Sequence, residues 1–494
     1  MSDEELFIGY EVSTGVIPAF FIESTARVNI DDRDGKAPPS PDGCARLPSV
    51  EDAVEKIAMK LLEQKEPKLV ITVHGFNSPR ESVLKYYTNS FLAVDGDDAI
   101  RDRGVVCMGY RWPSEHMGTP WRSGLSAAPL FLVGVLLVAL VVFWYVNFWI
   151  ELCSIPRFFR ILITAVTAFM AIVPIALFLQ RVIVYFRDGY RATTYGVPDL
   201  VDLIRLIDGR FETKFKVTGR TGSRADLSFI GHSMGGFVVT NAVRILSDVF
   251  SPATQPKARA TGVIAPEDDP LREQRSEIGK SFRLKRLVLV SPDIPAEALM
   301  TGRANALHSS LSRFEEAHLF SNEADEVLAN IFDNREFLLP TRRREYGRLG
   351  NVGVLTPWGV TKGLTLDRLR LGSRTLEQLY AGLKPIGFFA PDNSQRLTYF
   401  DCTDSIDDHG HGVVSNADAG HAQSLTLIAH LILLWDYIVK RKPDVHSGYF
   451  EPGFVGGLIY RFACIGYGDS EEAYGHFDAF SDACKKHQVK GLRN

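Results

Sequence analysis

The chain has 494 residues, enough for two or three average domains or for one α/β domain carrying insertions. Its 55 Lys and Arg stand against 59 Asp and Glu, so no basic excess points to a nucleic-acid partner. Six cysteines are scattered with no C-x-x-C spacing, which argues against a zinc ribbon or a disulfide framework and suits a reducing compartment. The N-terminal MSDEELFIGY is acidic and lacks an apolar core, so no secretory signal peptide is expected.

In chain order, Leu6 to Val12 and Ala19 to Ile22 read as strands, and the proline-rich Ala37 to Pro48 as a loop. Ser49 opens a helix to about Gln64, with Glu51 and Asp52 in its first turn, where the helix dipole favours acidic groups. Lys68 to Val73 is a strand that runs into His74-Gly75-Phe76-Asn77. Arg80 to Leu92 is helical, and Val105 to Tyr110 is the next strand.

Between Arg122 and Glu151 no charged residue occurs. Residues 128–150 and 161–180 are uncharged apolar runs, each about the 20 residues a membrane-spanning helix needs. Neither has the polar stripe of an ordinary core helix. Trp144, Tyr145 and Trp149 suit an interfacial belt. The expectation is a transmembrane hairpin. More arginines flank its outer ends (Arg111, Arg122, Arg181, Arg187, Arg191) than its short loop (Arg157, Arg160). The positive-inside rule then puts both flanking segments in the cytoplasm, where they can build one domain.

An amphipathic helix follows near Val197 to Ile207. Next, Leu227 to Ile230 reads as a buried strand and Phe237 to Leu246 as a helix. Gly231-His232-Ser233-Met234-Gly235-Gly236 lies between them. A G-x-S-x-G at a strand-to-helix corner is a nucleophile elbow: small neighbours let strand and helix approach while the serine Oγ projects. Ser251 to Lys280 is polar and aperiodic and is expected to be a disordered insertion. Leu287 to Val290 is a strand ending in Ser291-Pro292-Asp293. Arg303 to Ala317 is expected to be helical, and Leu319 to Ser321 a short strand. Leu397 to Phe400 is a further strand, Ala422 to Val439 a helix, and Phe454 to Cys464 a final helix. Strands alternating with helices predict an α/β fold with a mostly parallel, doubly wound sheet.

A serine hydroxyl needs a base to take its proton and a carboxylate to orient that base. In this fold the order is Ser, then Asp or Glu, then His. Downstream of Ser233, Asp325 follows a strand and is the first candidate acid, with Asp293 as rival and Glu323 as a third. His446, on a turn before the last helix, is the first candidate base, with His421 the alternative. His409 and His411 sit beside Asp408 but have no further spaced ligand, so no metal is expected. The negative charge of an acyl-transfer transition state needs waiting donors. The backbone N–H groups of Met234 and Phe76 are the candidates, with Gly75 in the same loop. His74 is expected to brace that loop. The basic run Arg342, Arg343, Arg344 and Arg348 reads as a solvated loop or an anionic-headgroup contact.

Val-Ile-Thr-Val-His-Gly-Phe-Asn, Gly-His-Ser-Met-Gly-Gly, Ser-Pro-Asp-Ile-Pro and the Asp325 loop together resemble serine α/β-hydrolases. They are most similar to a bacterial group of esterase- or lipase-like members. The resemblance spans roughly Lys68 to Cys464, apart from the hairpin and the polar insertion. It implies an α/β-hydrolase fold, a serine nucleophile at Ser233, an oxyanion loop at Gly75 and Phe76, and no cofactor. The implied substrates are esters, thioesters or amides, with an ester or lipid-like molecule first. An amidase or peptidase on the same triad, or a non-catalytic scaffold, are the alternatives. The expected organisation is a hydrolase domain over 1–122 and 188–464, with the hairpin at 123–187, the insertion at 251–280 and a C-terminal tail at 465–494. The expected location is a membrane, the bacterial inner membrane first, with the catalytic domain cytoplasmic.

Overall fold

The structure is a computed structural model. It describes residues 6–13, 15–26, 43–114, 184–217, 224–247, 277–294, 313–322, 396–408, 445–450 and 453–493, with isolated positions between them such as 158, 161, 310, 325, 328 and 350.

Its centre is a mixed, mostly parallel sheet. The strands are β1 (Phe7–Val12), β2 (Ala19–Ser24), β3 (Cys44–Arg46), β4 (Lys68–Val73), β5 (Val105–Arg111), β6 (Ala225–His232), β7 (Glu277–Ile278), β8 (Phe282–Val290), β9 (Glu316–Ser321), β10 (Arg396–Asp401) and β11 (Lys490–Arg493). The spatial order is β11-β10-β9-β8-β6-β4-β5-β2-β1-β3, with β7 pairing on β8. From β10 across to β2 all neighbours are parallel. β1, β3, β7 and β11 add antiparallel pairs. The central strands are fully buried runs such as KLVITV in β4, as a sheet covered on both faces requires.

Helices cover both faces. On one face α1 (Val50–Glu63), α4 (Val197–Val217) and α5 (Met234–Leu246) pack on Leu69, Ile71, Leu227 and Phe229. Ser49 caps α1, its side chain accepting from Asp52 N–H. On the other face α2 (Arg80–Asp95) and α6 (Phe454–Cys464) pack on Val70, Cys107 and Ile230. A helical stretch over residues 184–191, here α3, runs through a π-turn at Ala192–Gly196 into α4.

From β4 the chain crosses to β5 on one side, and later returns to β6 on the other. The strand order therefore reverses between β4 and β6. The carboxyl ends of strands at such a reversal are where doubly wound sheets place their sites.

Four expectations change. Arg303 to Ala317 is not a helix to its end, because Glu316 and Ala317 already pair with Arg286 and Leu287 as the start of β9. Residues beyond Cys464 are not a tail. They form α7 (Gly466–Ala473), α8 (Phe477–Lys486) and β11, and bury Tyr467, Phe480 and Cys484 in the second core cluster. β3 lies within the expected proline-rich loop, and β7 within the expected insertion, whose remainder lies outside the described residues. The expected helix at 422–439 and the basic run 342–348 are also outside them. So are the two apolar runs, Ile161 apart. Among the described residues no helix is long and apolar enough to cross a membrane.

Candidate active site

β6 ends by delivering Ser233 onto a corner with φ +52° and ψ −123°, directly before the first turn of α5. A positive φ on a non-glycine residue costs on the order of 1–3 kcal/mol and persists only where its surroundings over-determine it. Here they do. The Ser233 N–H donates to the Val290 carbonyl at 2.9 Å, and the Ser233 carbonyl accepts from the N–H groups of Gly236 at 3.0 Å and Asp293 at 3.1 Å. Gly235 lets α5 close on β4: a Cβ there would stand 2.2 Å from the Val73 carbonyl oxygen. A Cβ on Gly75 would stand 2.8 Å from the Cβ of Ser233. The elbow and the His74–Asn77 loop are thus in contact. The Ser233 Oγ is buried and has no hydrogen-bond partner among the described residues.

The candidate acid and base meet. The Asp325 Oδ2 lies 2.6 Å from the His446 Nδ1. The Leu328 N–H donates to the other Asp325 oxygen at 3.1 Å. The Ser291 hydroxyl also donates to the Asp325 Oδ2, and its oxygen is 3.4 Å from the His446 Nδ1. Since a carboxylate only accepts, the proton of the imidazole sits on Nδ1, and Nε2 is its basic nitrogen. The turn that carries His446 is pinned by Asn322, whose side-chain amide donates to the Val445 carbonyl at 3.0 Å. The His446 ring is 4.9 Å from the ring of His232 and 6.4 Å from that of Phe76, centroid to centroid.

No family model, curated protein or solved structure matches this chain.

The geometry therefore stands on its own residues. His232, just before Ser233, donates from Nε2 to the His446 carbonyl at 2.9 Å, linking elbow and base turn. Burial, and then the neighbouring His446, push its pKa down to about 3, so the ring is neutral near pH 7. His74 is likewise buried and held down to about 3 by burial and then by Arg111. It stacks on Trp112 at 5.1 Å, and its Nδ1 donates to the Gly75 carbonyl at 2.7 Å. That bond orients the Gly75–Phe76 peptide. In a trans peptide the Phe76 N–H then points the opposite way from the held carbonyl. His74 is thus a brace for the expected oxyanion loop.

Of the other candidates, Asp293 contributes its backbone N–H to the Ser233 carbonyl. His421, Glu323, His409 and His411 lie outside the described residues, and Asp408 pairs with Lys486 at 2.6 Å. Among the described residues no group of three or more metal-ligating side chains occurs. Sequence reasoning missed His232, Ser291 and Asn322. The only sequence signal for them was adjacency: His232 abuts Ser233, Ser291 closes a neighbouring strand, and Asn322 precedes the loop of Asp325.

Two surface clefts lie elsewhere. One, about 760 Å³, is lined by Asp97, Arg103, Arg461 and Asp469; the other, about 300 Å³, lies between α1 and α4. Neither borders Ser233. Cleft size alone does not locate the chemistry, which needs a nucleophile, a base and an acid together.

Proposed function

We propose that the chain is a serine hydrolase of α/β-hydrolase type that cleaves carboxylic esters through an acyl-enzyme on Ser233. The observation that carries this reading is the Asp325–His446 pair at 2.6 Å, on a turn hydrogen-bonded to His232, the residue before Ser233 and its positive-φ corner. In the proposed reaction the His446 Nε2 takes the Ser233 proton as Oγ attacks the ester carbonyl. The backbone N–H groups of Met234 and Phe76 receive the oxyanion. Collapse expels the alcohol, which carries away the proton from Nε2. Water, activated by the same nitrogen, then releases the acid and frees Ser233. None of these steps calls for a cofactor.

The apolar runs at 128–150 and 161–180 support a further part of the reading, that the enzyme is held in a membrane by a hairpin with its catalytic domain on the cytoplasmic side. Such an anchor puts Ser233 near lipid-like esters. Labelling with a fluorophosphonate probe tests the catalytic reading. Wild type is expected to be labelled and Ser233→Ala is not. A wild type that stays unlabelled supports a non-catalytic scaffold instead.

A further inference from the structure

The oxyanion loop is braced from a second direction, by the helix α3. Asp188 on that helix is fully buried. Its Oδ2 accepts the Asn77 N–H at 2.8 Å and the Ser114 hydroxyl at 2.9 Å. The Ser114 oxygen in turn accepts the Ser78 N–H at 3.1 Å. The other carboxylate oxygen faces Arg187 at 3.0 Å and Arg191 at 3.5 Å. Two consecutive loop N–H groups are therefore tied, directly or through one hydroxyl, to a single carboxylate. Asn77 is held at φ +55°, a conformation few non-glycine residues adopt. The Ser78 hydroxyl closes the loop by donating to the Phe76 carbonyl at 3.1 Å.

The same helix packs on Phe76 and approaches Met234, the two residues expected to supply oxyanion donors. Tyr185 packs edge-on against Phe76, ring centroids 5.9 Å apart. A Cβ on Gly189 would stand 4.0 Å from the Met234 Cε. On its other side α3 exposes Phe186 and Tyr190. In sequence its described residues, from Val184, lie a few positions beyond the second apolar run, which ends at Gln180.

We propose that Asp188 is a positioning residue: through the Asn77 N–H and Ser114 it fixes the Phe76–Asn77 peptide, on the far side of the Phe76 Cα from the peptide His74 holds, and so keeps the Phe76 N–H aimed at the developing oxyanion. The inference rests on the hydrolase reading of Ser233. It adds to it that the segment joined to the apolar run sets the quality of the oxyanion site. Burial raises the Asp188 pKa, against which Arg187 and the Asn77 and Ser114 donors to its oxygens work.

The test uses the full chain in detergent. Active-site concentration is titrated by fluorophosphonate, with p-nitrophenyl butyrate as substrate and an alkyl trifluoromethyl ketone as inhibitor. The ketone binds as an oxyanion adduct, so its Ki reads the oxyanion site independently of how much protein is active. Asp188→Ala is expected to lower kcat per titrated site by about tenfold to a hundredfold, less than or equal to the loss from deleting an oxyanion donor outright. KM should stay within about twofold, and Ki should rise by the same factor as kcat falls. Asp188→Asn, which keeps an acceptor for the Asn77 N–H, is expected to recover most of the loss. If Asp188→Ala does not fold, Ser114→Ala decides, with an expected several-fold fall in kcat and matching rise in Ki. Wild-type kcat and Ki in the folded variant overturn the inference and leave the Ser233 chemistry standing. A wild type that neither hydrolyses the ester nor takes the fluorophosphonate overturns the hydrolase reading and this inference with it.

Discussion

The Asp325 carboxylate and the His446 imidazole meet at 2.6 Å across 121 residues of sequence. Each is held separately before they meet. Asp325 is fixed by the Leu328 N–H and the Ser291 hydroxyl, and the His446 turn by Asn322 and His232. The pair is therefore set by the fold itself.

The acid and base assignments are separable by mutation. Asp325→Asn is expected to lower kcat by about 10⁴, the cost of leaving a triad imidazole in the wrong tautomer. His446→Ala should abolish turnover, whereas Asp293→Asn and His421→Ala should stay within about threefold of wild type. Ser291→Ala removes one donor to the acid and is expected to lower kcat by about tenfold, a hydrogen bond to a charged group being worth about 1.5–3 kcal/mol. Steady-state kinetics on a chromogenic ester checks all five variants.

The elbow glycines predict a contrast between stability and activity. Gly235→Ala would set a methyl 2.2 Å from the Val73 backbone oxygen, which cannot step aside without moving β4. We expect it to lose more than about 3 kcal/mol or fail to fold. Gly75→Ala meets the Ser233 Cβ at 2.8 Å. It is expected to fold but to displace the serine, with kcat falling more than tenfold for a small drop in Tm. Paired thermal melts and kinetics read the difference.

What the sequence disclosed and what it withheld follow from locality. The elbow was legible because Gly231, Ser233 and Gly235 act on neighbours within a few residues, and a strand and a helix bracket them. Asp325 and His446 were legible from their places after a strand and before a helix. The roles of Ser291 and His232 were not, because each depends on which strand end lies beside which turn, a matter of sheet order. The stretch beyond Cys464 misread as a tail because α8 buries only Phe480 and Cys484, too sparse a stripe to signal a helix that packs on the core. The expected helix over 303–317 overran into Glu316 and Ala317, which the neighbouring β8 recruits into β9.

Acid should destabilise the fold through two histidines. His74 and His232 have folded-state pKa values of about 3 against about 6.5 when unfolded. The unfolded chain binds the extra protons, so their contribution is fully present above about pH 6.5 and is lost as pH falls toward 3. Each contributes a slope of up to about 1.4 kcal/mol per pH unit in that window. Glu316, pulled down to about 2 chiefly by His318 and Arg286 against its burial, adds a loss below about pH 4.5. Urea midpoints should hold between pH 7.5 and about 6.5 and fall from there to pH 4.5, and His232→Gln should flatten part of the slope. A midpoint unchanged down to pH 5 contradicts the buried neutral pair.

The hairpin and α3 make a joint prediction. Deleting 123–183 behind a short linker should release protein that needs no detergent and keeps esterase activity, because Tyr185 and Asp188 remain. Extending the deletion through Phe186 removes Tyr185 from beside Phe76 and should lower kcat several-fold. A full-length chain that is soluble without detergent contradicts the membrane reading.

The most direct test of the central claim is rapid mixing of the purified chain with p-nitrophenyl acetate, followed by mass spectrometry of the quenched protein. A burst of one nitrophenol per chain, an acetyl group on the peptide containing Ser233, and loss of both in Ser233→Ala and His446→Ala are predicted. Turnover that survives Ser233→Ala, or an acetyl group on another residue, contradicts the claim.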